Sequence, residues 1–343
     1  MRRLLNTLYV VTPDSYLRRE GENVVVSVRD TEKARIPIHT LEGIVCFGYH
    51  GASPEVMRLC TENGVGLSFV TPTGRFLARV QGRVMGNVLL RREQFRMTDD
   101  EERALPIARS FITGKIVNCI TVLRRGIRDH DDTVDSEGLR STEQWLVGAL
   151  EALDACTDLG ALRGLEGSCA QRYFRAFDDL ILHQKDVFFL RDRNRRPPLD
   201  PMNAMLSFLY TLLAHDVGSA LETVGLDPYV GFFHADRPGR PSLALDLMEE
   251  LRPYLADRLT LSLVNLRQVN VRDFEFRENG SVMLNEKGRK KVLTAWQNRK
   301  REEIVHPFLR EKIPVGLLPF AQALLLARYI RGDLDGYPPY FMN

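Results

Sequence analysis

Two stretches of this chain place metal-ligating residue types in surroundings that set them apart from ordinary surface charge. In RGLEGSCAQRYF, Glu166 stands between Gly164 and Gly167 inside a segment that otherwise reads as helix. Small neighbours let a ligand or another chain approach the carboxylate closely, although most helix glutamates are simply solvated. In GFFHADRPGRPSLALDLMEELRP, His234 follows two phenylalanines, which points to partial burial. A lone histidine at the end of an apolar segment is more often a hydrogen-bonded core residue than a ligand. The same stretch offers Ser242 as the cap of a helix whose Leu243, Leu245, Leu247, Met248 and Leu251 are apolar. Asp246 precedes Glu249 by three residues and Glu250 by four, so these acids can share one helical face. Two carboxylates near a histidine and a further glutamate suit a hard divalent cation. Oxygen ligands favour Mg²⁺ or Mn²⁺, and one imidazole tilts the choice toward Mn²⁺ or Zn²⁺. Arg237 and Arg240 precede the acids in a loop where they could meet phosphate. The competing reading is an amphipathic helix whose acids face water and pair with Arg252. Spacing alone leaves both open.

The elements that must position these residues fall into two halves with different periods. Strands are expected at 4–11, 16–19, 24–28, 36–38, 44–47, 67–70 and 76–80, short pieces rich in β-branched and aromatic residues. Turn signals lie between them at Gly21-Glu22-Asn23 and Pro72-Thr73-Gly74. One helix interrupts the pattern, with Ser53 as cap, Pro54 in its first turn and Gly64 to close it. After Gly82 the period changes to that of amphipathic helices, as in Ile107, Phe111, Ile112 and Ile116. Helices are expected at 101–128, 141–156, 161–181, 201–224, 242–251 and onward, 286–304 and 316–331, with loops at 129–137 and 191–198. The fold class is α+β: a β-rich domain with one helix at 1–84, a linker at 85–98, and a larger all-helical domain at 99–343.

Composition sets wider bounds. A chain of 343 residues exceeds the comfortable size of one core, so two domains are the default. Hydrophobic residues make up 44% and charged residues 27%, which excludes disorder as the dominant state. A net charge of +2 does not announce a nucleic-acid binder, so any basic surface must be local. Basic runs occur at Arg91-Arg92, Arg124-Arg125, Arg191 to Arg196, Arg289-Lys290-Lys291 and Arg299-Lys300-Arg301. Such runs usually make solvated faces, and several on one surface would instead neutralise a phosphate backbone. The five cysteines form no CxxC pair and their number is odd, which argues against a disulfide framework or a thiolate zinc site and fits a reducing compartment. The start, MRRLLNTLYVVTPDSY, lacks the apolar length and cleavage site of a signal peptide. The longest apolar run, 202–214, is broken by Asn203, Ser207 and Thr211 and falls short of the ~20 residues a bilayer requires. A soluble, cytoplasmic protein with no membrane contact is expected.

Three motifs, RGLEGSCAQRYF, RRPPLDPMNAMLSFLYTLL and GFFHADRPGRPSLALDLMEELRP, occur in the order and at the distances found in CRISPR-associated protein one, the integrase that captures spacers. The chain resembles that family over essentially its whole length. GVGLSFVTPTGRFLARVQG resembles the end of the family's β domain, and GRKKVLTAWQNRKREEIVHPFL its later helical region. Overall length and the ending GYPPYFMN look most like the subtype I-C branch. The resemblance implies a homodimer joined through the β domain, with one metal site per subunit in the helical domain. It implies Glu166, His234 and Glu249 as ligands of Mg²⁺ or Mn²⁺ and as the catalytic set. Many members carry aspartate where this chain has Glu249, a longer arm with the same charge. Asp246 matches an acidic position that supports the site without binding metal. Arg163, Arg237 and Arg240 are candidate DNA contacts. Asn203 and Tyr210 match an NxxLSxxY pattern read as structural, and His215 and His306 are read as structural as well.

The chemistry implied is direct transesterification, in which a 3′-hydroxyl of a double-stranded fragment attacks a phosphodiester at the border of the CRISPR repeat. An imidazole ligand must be neutral, so acidification should lower activity. Bond number does not change in such an exchange, and no P-loop is present. Implied partners are CRISPR-associated protein two, as a bridging dimer, and in subtype I-C the end-trimming nuclease CRISPR-associated protein four. Two other readings stay open. One is a metal-dependent nuclease on branched repair intermediates, and the other a non-catalytic DNA-binding scaffold.

Overall fold

Valine-rich alternation organises the first part of the chain. In the computed structural model, which describes residues 5–48, 50–72, 76–82, 88–194 and 197–342, it becomes two four-stranded sheets. Strands β1 (Asn6–Val10), β2 (Ser15–Glu20), β3 (Asn23–Val28), β4 (Thr31–Pro37), β5 (Leu41–Phe47) and β6 (Gly51–Ala52) precede helix α1 (Pro54–Glu62), and β7 (Gly66–Val70) and β8 (Phe76–Val80) follow it. One sheet has the order β1-β5-β7-β8, with β1, β5 and β7 parallel and β8 antiparallel to β7. Parallel neighbours need crossover connections. Here the β2–β4 meander links β1 to β5, and α1 links β5 to β7. The second sheet has the order β4-β3-β2-β6. Leu17, Val24, Val26, Ile38, Ile44, Cys46, Leu59 and Leu67 meet in one buried cluster. Helix α1 starts as its sequence dictates: Ser53 Oγ accepts from Val56 N at 3.3 Å, Pro54 occupies the first position, and Gly64 takes φ +67° just beyond the end. The expected strand at 36–38 is only the end of β4, which starts at Thr31 and stops at Pro37, because Ile38 begins a 3₁₀ turn. The start of the expected strand at 4–11 and most of the turn at 72–74 lie outside the described residues, as do Arg195 and Arg196.

Contacts divide the chain into residues 1–85 and 86–343. The second unit contains α2 (Val88–Thr98), α3 (Glu101–His130), α4 (Ser136–Asp154), α5 (Leu159–Phe177), α6 (Pro201–Val224), α7 (Ser242–Met248) and α8 (Arg258–Asn265). The hairpin β9 (Phe274–Phe276)–β10 (Val282–Leu284), α9 (Glu286–Arg301), the hairpin β11 (Glu303–Val305)–β12 (Lys312–Pro314) and α10 (Leu318–Ile330) complete it. The expected linker at 85–98 is mostly helix α2, which packs on α3 and α10. Its buried Gln94 explains why: the amide donates to the Asp227 and Val230 carbonyls at 2.8 Å each and accepts from Asp227 N at 2.9 Å.

Helix α3 runs through the middle of this unit and packs against α2, α4, α5 and α7. Asp100 caps it. Helix α6, with 24 residues and an 18-residue stretch of mean hydropathy 1.3, is the one described helix that meets the length and composition of a membrane span. Its polar residues are nonetheless satisfied by protein, and the helix packs on α7 and α10. Asn203 bonds Asp200 and the Asp192 carbonyl, Ser207 accepts from Arg193, and Thr211 bonds the Ser207 carbonyl. These contacts describe a core helix. The expected helix at 242–251 is interrupted after Met248, and a π-helical turn at Pro253–Asp257 leads into α8. Pro241, not Ser242, is the cap residue of α7. Ser242 already lies inside the helix, where its hydroxyl donates to the Ala235 carbonyl at 3.2 Å.

Candidate metal centre

The residues singled out by type and spacing come from α5, the α6–α7 loop and the end of α7. Asp158 starts α5 by accepting from Ala161 N at 2.8 Å. A Cβ on Gly164 or Gly167 would meet nothing within 4 Å, so the helix surface around Glu166 is open. The Glu166 side chain turns inward, where its Oε1 is bound by Lys115 Nζ of α3.

His234 is held by a buried carboxylate. Phe232 and Phe233 anchor the loop in the core at 2% and 3% exposure. The backbone N–H groups of Phe232, Phe233 and His234 donate to Asp246 at 2.6, 2.9 and 2.9 Å. Close approach of the loop to α7 requires glycine at 231, since a Cβ there would stand 2.7 Å from Ser242 Cβ and 2.8 Å from Asp246 Oδ2. His234 Nδ1 lies 2.6 Å from Asp246 Oδ1. A carboxylate oxygen only accepts, so Nδ1 carries the proton and Nε2 presents a lone pair. That Nε2 is 4.0 Å from Glu249 Oε1.

Glu249 is 2% exposed, and Asp246 and Glu250 are fully buried, so the acids of this segment do not face water. The expected pairing with Arg252 exists but is internal: Arg252 Nη1 binds Glu249 Oε1, with the guanidinium 4.9 Å over the Tyr210 ring. Lys115 Nζ is 2.8 Å from Glu249 Oε2, so one buried ammonium pairs with this carboxylate as well as with Glu166. Burial pushes the Glu249 carboxyl up, but Arg252, Lys115 and His234 outweigh it and bring the group down to about 2. Burial likewise disfavours the Lys115 ammonium, and Glu249 and Glu166 overcome this, raising its pKa above the ordinary lysine value. Glu250 turns the other way, toward Gln322, Tyr337 and Tyr340.

Lys115 and Arg252 complete the cluster; Arg252 was expected to pair with these acids, though at the surface, and Lys115 was not expected here. The signal for Lys115 is a single charge at i+4 from Phe111 and i−4 from Cys119, on the buried face of an apolar helix. Among the described residues, no three His, Cys, Asp or Glu side chains lie close enough to ligate an ion as they stand. The Lys115 ammonium sits between the two carboxylates where a cation would bind. The donor set nevertheless fits one: two carboxylates that already hold a positive charge between them, and an imidazole whose other nitrogen is tied to a carboxylate, the arrangement that orients histidine toward metals.

Of the candidate DNA contacts, Arg237 is exposed. Arg163 is exposed too, and it donates through Nε and Nη2 to the Phe233 carbonyl at 3.0 and 2.8 Å, which ties α5 to the His234 loop. Asn203 fastens the 192–194 segment to the start of α6. Tyr210 donates to Asp257 at 2.7 Å and lies between the Arg193 and Arg252 guanidinium groups. His306 is buried, with Nε2 3.0 Å from Gln322 Oε1.

Two predictions arise here. Asp246→Asn loses the carboxylate that fixes the imidazole tautomer, and Mn²⁺ affinity should fall by about 10–100-fold. Titration of Mn²⁺ into the folded variant checks this, and unchanged affinity would mean that Asp246 only ties the loop. The second concerns Asp257, which burial pushes up to about 6 despite hydrogen bonds from Tyr210 and Tyr173. A raised carboxyl pKa favours the folded state below about pH 4, and that contribution is lost as pH rises through about 6. Asp257→Asn should flatten the fall in stability over this window, by about 3 kcal/mol at 1.36 kcal/mol per pH unit. Denaturant midpoints at pH 4 and pH 7 provide the comparison, and parallel slopes in the two proteins would refute it.

Fold and site together define an α+β protein whose helical unit carries an acid–histidine–acid cluster suited to a divalent cation. The chain belongs to the family of CRISPR associated protein Cas1, whose model matches residues 8–298. It is 51% identical over 340 residues to CRISPR-associated endonuclease Cas1 1 of Chlorobaculum tepidum, covering 99% of each chain. It is 33% identical over 338 residues to a CRISPR-associated exonuclease Cas4/endonuclease Cas1 fusion of Geobacter sulfurreducens, covering 97% of this chain and 60% of the fusion. Among solved structures, a casposase bound to integration product matches with a TM-score of 0.85 and 22% identity, over 99% of this chain and 95% of that one. A Cas6-RT-Cas1–Cas2 complex matches with a TM-score of 0.82 and 23% identity, over 99% of this chain and 36% of that one. These two likenesses concern the fold.

Proposed function

We propose that this chain is the integrase of CRISPR adaptation and that Glu166, His234 and Glu249 hold its catalytic Mg²⁺ or Mn²⁺. The observation that carries the assignment is the Asp246–His234 pair, which turns an imidazole lone pair toward a buried glutamate in a chain of the Cas1 family. When bound, the cation supplies Lewis-acid polarisation of a phosphoryl oxygen and neutralises developing charge. Glu166 and Glu249 supply the anionic ligands, Asp246 fixes the tautomer of His234, and Arg252 holds the Glu249 carboxylate in place. The reaction is an exchange. A 3′-hydroxyl of the incoming fragment forms a bond to a repeat phosphate, the bond from that phosphate to the repeat's own 3′-oxygen breaks, and the proton passes from attacking to departing oxygen.

Joining both fragment ends to opposite strands requires two such sites at a fixed separation. A homodimer through residues 1–84 meets this need, because that unit has strand edges to cover and none of the ligands. Double-stranded DNA, a Cas2-type bridging dimer and a Cas4-type nuclease are the partners proposed, and the cytoplasm the compartment. The Cas2-containing complex of like fold and the Cas4 fusion support the two protein partners. Subtype I-C rests on the chain's length and its GYPPYFMN ending.

The test uses a supercoiled plasmid carrying a repeat array, Mn²⁺, and labelled fragments with either 3′-hydroxyl or 3′-deoxy ends. Label should join the plasmid only from 3′-hydroxyl fragments. Plasmid cleavage without joining would favour the nuclease on branched DNA, and neither reaction would favour the scaffold.

A further inference from the structure

The segment that follows α10 is built into the cluster from behind. Tyr337, Tyr340 and Met342 are buried at 5%, 3% and 5% exposure. Tyr337 Oη donates to Glu250 Oε1 at 2.6 Å, and Tyr340 N donates to Glu250 Oε2 at 3.0 Å. Gln322 of α10 donates to Glu250 Oε1 at 2.8 Å and to the Pro338 carbonyl at 3.1 Å. Both carboxylate oxygens of Glu250 are thus spent on this segment and its support.

Helix α3 grips the same segment on either side of Lys115. Asn118 Nδ2 donates to the Glu250 carbonyl at 2.7 Å and to the Tyr340 carbonyl at 2.9 Å, and its Oδ1 accepts from Met342 N at 2.8 Å. At Gly114 a Cβ would stand 2.8 Å from Glu250 Cβ and 3.1 Å from Pro339 Cβ, so the three pieces close onto a position with no side chain. Glu249 and Glu250 are consecutive and point to opposite sides. Fixing the carbonyl and carboxylate of Glu250 therefore fixes the peptide from which the Glu249 carboxylate projects.

We propose that residues 337–342 act as a strap that positions Glu249, and that without it the centre does not hold its cation. This rests on the reading of Glu249 as a ligand. The strap bonds Glu250, Asn118 and Gln322, so its residues are positioning residues. A merely structural strap would lower the melting temperature in EDTA yet leave the Mn²⁺ affinity of the folded protein untouched.

The experiment measures Mn²⁺ affinity for the full chain, a chain ended after Gly336, Gly114→Ala and Tyr337→Phe, each checked for helical content by circular dichroism. The shortened chain and Gly114→Ala should bind Mn²⁺ about 10–100-fold more weakly, the range for lost support of a metal ligand. A peptide of sequence GYPPYFM added to the shortened chain should restore binding. If the shortened chain does not fold, Gly114→Ala and Tyr337→Phe decide the matter, because both keep the strap. Affinities within twofold of the full chain in these variants would overturn the proposal while leaving the ligand assignment standing. Absence of Mn²⁺ binding by the full chain would overturn both.

Discussion

His234→Ala and Glu166→Ala should each abolish fragment joining, by at least about a thousandfold, or about 4 kcal/mol of transition-state stabilisation. Both variants should keep the fold and most DNA affinity, because ground-state binding comes from many Lys and Arg contacts to phosphate. Their side chains are 18% and 21% exposed against 2% for Glu249, so truncation at His234 and Glu166 should cost the fold less. Glu249→Ala is a different case. That carboxylate is buried between Arg252 and Lys115, and its removal takes the carboxylate from Arg252 and leaves Lys115 with Glu166 alone. Breaking a buried pair costs about 3–5 kcal/mol, so lost activity in this variant mixes chemistry with instability. Single-turnover joining assays beside melting curves separate the two effects. A His234→Ala protein that still joins fragments at a tenth of the normal rate would contradict the assignment.

Lys115→Met should give the largest change in how stability responds to metal. Its ammonium lies between Glu166 and Glu249, contacting both. Removing it leaves two carboxylates facing each other in a buried site, compensated only on the Arg252 side. Without metal the variant should lose about 3–5 kcal/mol. A divalent cation competes with the ammonium for the same oxygens, so the variant should bind Mn²⁺ more tightly and gain more stability on binding, as linkage requires. Melting curves with EDTA and with Mn²⁺ make the comparison. Equal Mn²⁺-induced shifts in the two proteins would show that lysine and metal do not share a site.

How much of this was legible in the sequence follows from how local each signal is. The strands of the first unit were readable because alternation is local, and the α1 boundaries because Ser53, Pro54 and Gly64 act within one turn. Sheet order was not readable, since β1 pairs with β5 across an inserted meander. Two-residue and three-residue strands such as β6 and β9 carry no period at all. The region 85–98 looked like a linker because its polar residues hide one buried partner, Gln94. At the site, spacing put Asp246, Glu249 and Glu250 on one helix face, whereas the chain leaves regular helix after Met248 and sends them in three directions. Asp246 goes under the histidine loop, Glu249 toward Lys115, and Glu250 toward the strap. Lys115 itself lies 51 residues from Glu166, and no local pattern links them.

The central claim is that Glu166, His234 and Glu249 bind one divalent cation. Anomalous diffraction from Mn²⁺-soaked crystals tests it without reference to activity. One manganese per chain is expected, ligated by His234 Nε2 and by oxygens of Glu166 and Glu249 at about 2.0–2.3 Å, with the Lys115 ammonium moved out from between the carboxylates. Manganese elsewhere in the chain, with Lys115 still bridging Glu166 and Glu249, would contradict it.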